Sequence, residues 1–125
     1  MNRTVKELMV KSVVKLTEGE SVGAARERMA NYDIGAVPVV SSEGALVGIL
    51  TATDLVTDYD DVLPVSRIMS SPVHTINPEA KVAEAAHRMR EHGHHHLVVV
   101  NQGDVVGIIS SLDLLRVIDL GAVVE

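Results

Sequence analysis

Two stretches carry a hydroxyl three residues ahead of a carboxylate: Thr51 with Asp54 in Gly48-Ile-Leu-Thr-Ala-Thr-Asp54, and Ser110 with Asp113 in Gly107-Ile-Ile-Ser-Ser-Leu-Asp113. If the aliphatic run is a strand and the hydroxyl opens a helix, hydroxyl and carboxylate stand on adjacent turns of one face. They then lie beside unpaired backbone N–H groups, which favour an anion such as phosphate. A carboxylate there is able to accept bonds from two neighbouring ribose hydroxyls. The same Thr/Ser-x-x-Asp pattern also reads as a capping box that only starts a helix. A single copy favours the cap, whereas two copies inside matching repeats favour a ligand-holding role.

The repeats that must position these residues are explicit. Residues 5–40 align with 65–100 at an offset of 60, and 46–56 align with 105–115 at an offset of 59. The matched identities include Met9 with Met69, Arg28 with Arg88, Gly48 with Gly107 and Asp54 with Asp113. One unit has been duplicated. Thr4-Val-Lys-Glu7 fits a capping box opening a short helix, with Ser66-Arg-Ile-Met69 as its counterpart after Pro64. Val13-Val-Lys-Leu16 and Val73-His-Thr-Ile76 suit short strands. Val22, Ala25 and Met29, and likewise Val82, Ala85 and Met89, recur at helical spacing. Ser21 suits a helix cap that Lys81 replaces in the second copy, and Asp33 and Gly93 suit the helix stops.

A hairpin follows in each copy, 36–40 with 46–50 and 97–100 with 105–109. These strands are nearly continuous in apolar residues and predict burial on both faces. Pro38 predicts an accessible strand side in the first copy. A last helix starts near Thr53 or Leu112, ending at Asp58-Tyr-Asp-Asp61 or at Gly121. The expected fold is α+β: two β-α-β-β-α repeats, 1–61 and 62–125, related by a pseudo-twofold axis. Their small mixed sheets pack together with helices outside, leaving two equivalent clefts between the repeats.

Composition narrows the function classes. Without Phe or Trp and with two Tyr, the core is aliphatic and base stacking on aromatic rings loses its support. A formal charge of −6 disfavours general affinity for nucleic acid or acidic membranes. The absence of Cys removes disulfides, thiolate metal sites and cysteine nucleophiles. With no apolar signal region or bilayer-length run, the expectation is a soluble cytoplasmic protein.

The duplicated unit, with Val37-Pro-Val-Val40 and Gly48-x-x-Thr51-x-x-Asp54, resembles a tandem cystathionine-β-synthase (CBS) domain pair from about Val5 to Ile118. The resemblance implies a regulatory module that binds AMP, ADP, ATP, S-adenosylmethionine or NAD in its clefts and associates as a homodimer. It implies no obligatory cofactor, and it leaves any regulated enzyme or transporter unnamed. By motif it gives Asp54 and Asp113 to the ribose, with Thr51 and Ser110 beside them. Gly35 and Ala36, and His95 and His96, would approach base and phosphates, while Lys11 and Ser71 would line the base side. Gly35 and Ala36 supply no cation.

All six His fall in the second repeat. Imidazoles suit zinc, nickel or copper, so His92, His94 and His96 are metal candidates. Strand alternation would set His94 and His96 on one face and His95 on the other. Phosphate contact by one or two of these His, with His95 and His96 the candidates, is the preferred role, and a solvated surface cluster without function is the alternative. No set of nucleophile, base and orienting group accompanies the carboxylates, so no enzyme is expected. A dimerisation scaffold with vestigial clefts and a histidine-based metal or pH sensor are the alternatives.

Overall fold

The computed structural model describes residues 3–11 and 14–119; the expected strand start at Val13 and helix stop at Gly121 lie outside them. Contacts divide the chain into a continuous unit, Val14–Val73, and a split unit, Met1–Val13 with His74–Glu125. This division differs from the sequence repeats, because the leading segment of each repeat packs in the core of the other copy. The split unit buries Val5 and Leu8, on helix α1 (Val5–Leu8), with Ala85, Leu97 and Ile109. The continuous unit buries their counterpart Val65, from a 3-10 turn at Val65–Arg67, with Ala25, Val37 and Leu50.

In the continuous unit β1 (Leu16–Thr17), α2 (Val22–Tyr32), β2 (Ala36–Val40) and β3 (Leu46–Thr51) follow in order. Strand β2 is central, parallel to β1 and antiparallel to β3. The split unit repeats this with β4 (Thr75–Ile76), α3 (Val82–His92), β5 (His96–Asn101), β6 (Asp104–Ser110) and α4 (Ser111–Asp119). Two small mixed sheets, each with its helices, give the α+β architecture expected. Strand β2 is buried throughout and β6 is buried on both faces over Gly107–Ile109, whereas β3 alternates between buried and half-buried, so the expected two-sided burial fails in β3.

The helix ends follow local chemistry. The Ser21 hydroxyl accepts the Ala24 N–H at 3.1 Å, while the Lys81 side chain caps nothing. Asp33 (φ 52°) and Gly93 (φ 69°) take the left-handed conformation that stops α2 and α3. Glu7 reaches back to the Thr4 N–H at 2.8 Å, as the capping box predicts.

Two prolines set where the short parallel strands start and stop. In the split unit Val98 N–H donates to His74 O and Thr75 pairs with Val98. The matching residue of the continuous unit is Pro38, which has no N–H, so β1 begins one position later. At the other end Glu18 N–H donates to Val40 O, and its counterpart Pro78 has no N–H, so β4 stops early. Pro38 is nevertheless buried in a central strand, correcting the expected accessible side.

The first copy's last helix is a further correction: it is a five-residue 3-10 turn, Ala52–Val56. The Arg26 guanidinium takes the Leu55 and Thr57 carbonyls at 2.9 and 3.1 Å, holding the oxygens that end the turn. Only α4 continues as an α-helix.

Candidate functional site

The motif glycines are fixed by close approach. A Cβ on Gly107 would lie 2.6 Å from the Val10 carbonyl oxygen, and one on Gly48 would lie 2.8 Å from Met69 Cγ. Each glycine thus admits the segment carrying the repeated methionine, Met9 or Met69. That segment then bridges to the motif strand: Val10 exchanges both backbone bonds with Ile108 at 2.9 and 3.0 Å, and Ser70 exchanges both with Ile49 at 3.1 and 2.9 Å.

These bridges decide which candidate residues meet. Lys11, next to Val10, belongs with the second motif, and Ser71, next to Ser70, with the first. In the continuous unit Ala36 pairs across the sheet with Thr51, and Ala52 N–H donates to Gly35 O at 2.9 Å. In the split unit His96 pairs with Ser110, and Ser111 N–H donates to His95 O at 2.9 Å. One site therefore gathers Ser71, Gly35, Ala36, Thr51 and Asp54, and the other Lys11, His95, His96, Ser110 and Asp113. The sequence repeat alone would have grouped Lys11 with Asp54.

Both carboxylates close a cap. Asp54 Oδ2 accepts from Thr51 N–H at 2.8 Å and from Thr51 Oγ1 at 3.1 Å. Asp113 Oδ2 accepts from Ser110 N–H at 2.8 Å, and Ser110 Oγ accepts from Asp113 N–H at 3.1 Å. The cap uses one oxygen, so cap and ligand contact are compatible. Asp54 Oδ1 has no partner among the described residues. Asp113 Oδ1 lies 3.6 Å from Arg116, a half-exposed cation one turn along α4 that sequence reasoning missed. The i, i+3 spacing was the signal for it.

Electrostatics separate the two sites further. Burial pushes the His96 imidazole below its ordinary 6.5, and the neighbouring His95 adds to this while Asp113 opposes it. Burial thus disfavours the charged form of His96 in the unliganded protein.

The metal candidates do not assemble. Strand β5 begins at His96, so the expected alternation of His94, His95 and His96 along one strand does not occur. His94 instead closes α3, donating its N–H to Met89 O at 3.1 Å. Its ring lies 4.4 Å from His74 and 6.2 Å from His92 between centroids. Among the described residues no three His, Asp or Glu side chains converge on a metal position.

The CBS domain model matches residues 5–61 and again 65–120. The chain belongs to the CBS-domain family. As a CBS pair it is similar to the CBS domain-containing protein YhcV of Bacillus subtilis, 31% identical over 116 residues that span 89% of this chain and 82% of YhcV. Its fold superposes with TM-score 0.84 or better on several solved CBS proteins. One is the CBS pair of MJ0100 in complex with 5'-methylthioadenosine and S-adenosyl-L-methionine, with TM-score 0.89, 25% identity and 97% and 99% of the two chains covered. Another likeness is to Hypoxic Response Protein I with two coordinated zinc ions, with TM-score 0.79, 26% identity and 91% and 98% covered. Other relatives are longer: the chain spans 44% of MJ1225 and 22% of an inosine-5'-monophosphate dehydrogenase, both of Methanocaldococcus jannaschii. CBS pairs thus also occur joined to enzymes, and these 125 residues comprise the regulatory pair. No helix among the described residues is long and apolar enough to cross a membrane.

Proposed function

We propose that this CBS pair is a non-catalytic regulatory module that binds an adenosine-containing ligand, with Asp54 and Asp113 holding ribose hydroxyls. The observation that carries this reading is the shared division of labour within each carboxylate: Oδ2 closes the cap and Oδ1 does not. The pair of Asp113 with the half-exposed Arg116 is long, at 3.6 Å, and leaves Oδ1 of the buried carboxylate able to take a ribose hydroxyl. The complex of MJ0100 with two adenosyl compounds supports the ligand class.

The two sites differ in what they offer a phosphate. Lys11, His95 and Arg116 accompany Asp113, so a ligand with a phosphate (AMP, ADP, ATP or NAD) belongs there. Ser71, Gly35 and Ala36 accompany Asp54 and suit an adenosine derivative with no phosphate, such as S-adenosylmethionine. Homodimerisation is part of the same reading, since Leu112 (72% exposed), Leu115 (52%) and Val56 (83%) leave apolar surface on the last helical segments. The test is mass spectrometry of small molecules released on denaturing the purified protein, followed by calorimetry with the compound found. An adenosyl compound whose binding Asp54→Ala or Asp113→Ala weakens is the expected result. Unimpaired binding in both variants would refute the ribose role.

A further inference from the structure

Arg28 and Arg88 are matched residues of the two repeats, each on the long helix of its unit, and their carboxylates differ: Glu20 beside Arg28 is Ala80 in the other copy, while Glu84 beside Arg88 is Ala24 in the first. In the continuous unit Arg28 Nη1 donates to Lys15 O at 2.9 Å, and its Nη1/Nη2 edge grips Glu20 at 3.1 and 2.7 Å. Glu20 Oε2 also accepts the Thr17 N–H at 2.9 Å. The carboxylate thus has three charge-assisted or backbone donors, and Arg28 holds it below its ordinary pKa, with Thr17 adding to the effect.

The split unit keeps the donors without the acceptor. Arg88 Nη1 donates to the Thr75 carbonyl, the counterpart of Lys15 O. Ala80 stands where Glu20 stands. Arg88 Nη2 and the Asn77 N–H, the counterparts of the donors that hold Glu20, meet no acceptor among the described residues. The space left is a groove of about 470 Å³, lined by Asn77, Ala80 and Arg88 together with Thr75, Glu79 and Glu84. That volume suits a small molecule.

We propose that this groove is a carboxylate-binding site, in which Arg88 and the Asn77 N–H hold a small organic carboxylate as Arg28 and the Thr17 N–H hold the Glu20 side chain. Glu20 is in effect a tethered copy of the ligand's head group. Two acidic side chains share the groove. Glu79 is paired with Lys6 at 3.2 Å, and among the described residues Glu84 reaches only the Arg88 Nε, at 3.7 Å. Their charge favours a carboxylate that carries a cation of its own, as an amino acid does, over a plain organic acid. The site is separate from the Asp54 and Asp113 motifs, and its test does not depend on adenosine binding.

The experiment is an NMR titration of the full isotope-labelled chain with sodium acetate, glycine and sodium phosphate at constant ionic strength. It is read at the Arg88 side-chain Nε–H and the Asn77 amide. Acetate and glycine should shift both signals saturably, with tighter binding of glycine marking an amino-acid ligand and tighter binding of acetate a plain acid. Ala80→Glu should place the Asn77 amide at its bound position without any addition, abolish both titrations and raise the melting temperature. Arg88→Lys keeps the charge, loses the bidentate edge and should weaken binding roughly tenfold. A wild type with no saturable shift, titrations that persist in Ala80→Glu, or shifts produced by phosphate alone would overturn the assignment.

Discussion

Arg28 and Arg88 hold matching carbonyls in two copies of one fold, yet one guanidinium is closed by Glu20 and the other faces a groove. The same contrast recurs elsewhere. The contacts that shape the backbone are present twice: methionine against glycine, the bridge beside it, and the hydroxyl–carboxylate cap. The groups that set charge beside an opening are present once. Lys11 answers Ser71, His95 and His96 answer Gly35 and Ala36, Arg116 answers Thr57, and Ala80 answers Glu20. A duplicated scaffold thus presents two matching motifs with unequal charge beside them.

Breaking the chain at the repeat boundary, after residue 61, should have the largest effect on that comparison. A fragment of residues 14–73 keeps the whole core of the continuous unit, whereas residues 1–61 lack Val65, Ile68 and Met69. Circular dichroism and hydrogen exchange should show far more ordered structure in the first fragment. Equal order in both would mean that the exchanged leading segments contribute little.

Next come the glycines. Crowding a packed site costs about 1–3 kcal/mol. Gly107→Ala meets a backbone carbonyl oxygen that cannot turn aside, while Gly48→Ala meets only the Met69 side chain. Denaturant unfolding should therefore place Gly107→Ala near the upper end and Gly48→Ala near the lower. The reverse order would show that the two bridges are not equally rigid.

The carboxylates follow. Asp54→Ala and Asp113→Ala should each lower affinity for an adenosyl ligand roughly tenfold to a hundredfold in calorimetry. Each should cost only about 1 kcal/mol of stability through the lost cap. A variant that binds normally but melts far lower would reduce its carboxylate to a cap.

The smallest effect concerns pH. Burial, with His94, His92 and Arg88 adding like charge, lowers the His74 pKa, and burial with His95 lowers that of His96. The unfolded chain then binds protons more readily than the folded one. The stability from keeping both rings neutral is complete above pH 6.5, the ordinary value, and is lost as pH falls through their lower folded values. All six His lie in the split unit. Hydrogen exchange between pH 7 and pH 5.5 should show protection falling there and not in the continuous unit, after correction for intrinsic rates. Parallel losses in both units would assign the pH response to other groups.

What was legible in the sequence was local. Helices α2 and α3, their left-handed stops, the hairpins and the paired motif follow from periodicity and turn chemistry within a few residues of each feature. The missed features depend on distant partners. Nothing near Lys11 announces that it belongs with Asp113, because the bridge from Val10 to Ile108 spans almost the whole chain. The 3-10 turn after Thr51 depends on Arg26, from another element, taking its carbonyls. Pro38 and Pro78 were readable as missing donors, but the strand pairs they delete were not.

Under the proposed function the two sites share a ribose-holding carboxylate and differ in their charge toward phosphate. Its most direct test is calorimetric titration of AMP and of adenosine into the wild type and into His95→Ala/His96→Ala, at pH 6.5 and pH 8. A bound phosphate favours the protonated, doubly donating form of an imidazole beside it, so AMP binding there is linked to proton uptake. AMP affinity should fall as pH rises in the wild type, adenosine affinity should barely change, and the double variant should lose only the AMP advantage. Equal losses for AMP and adenosine in the double variant, or no loss for either, would contradict the account.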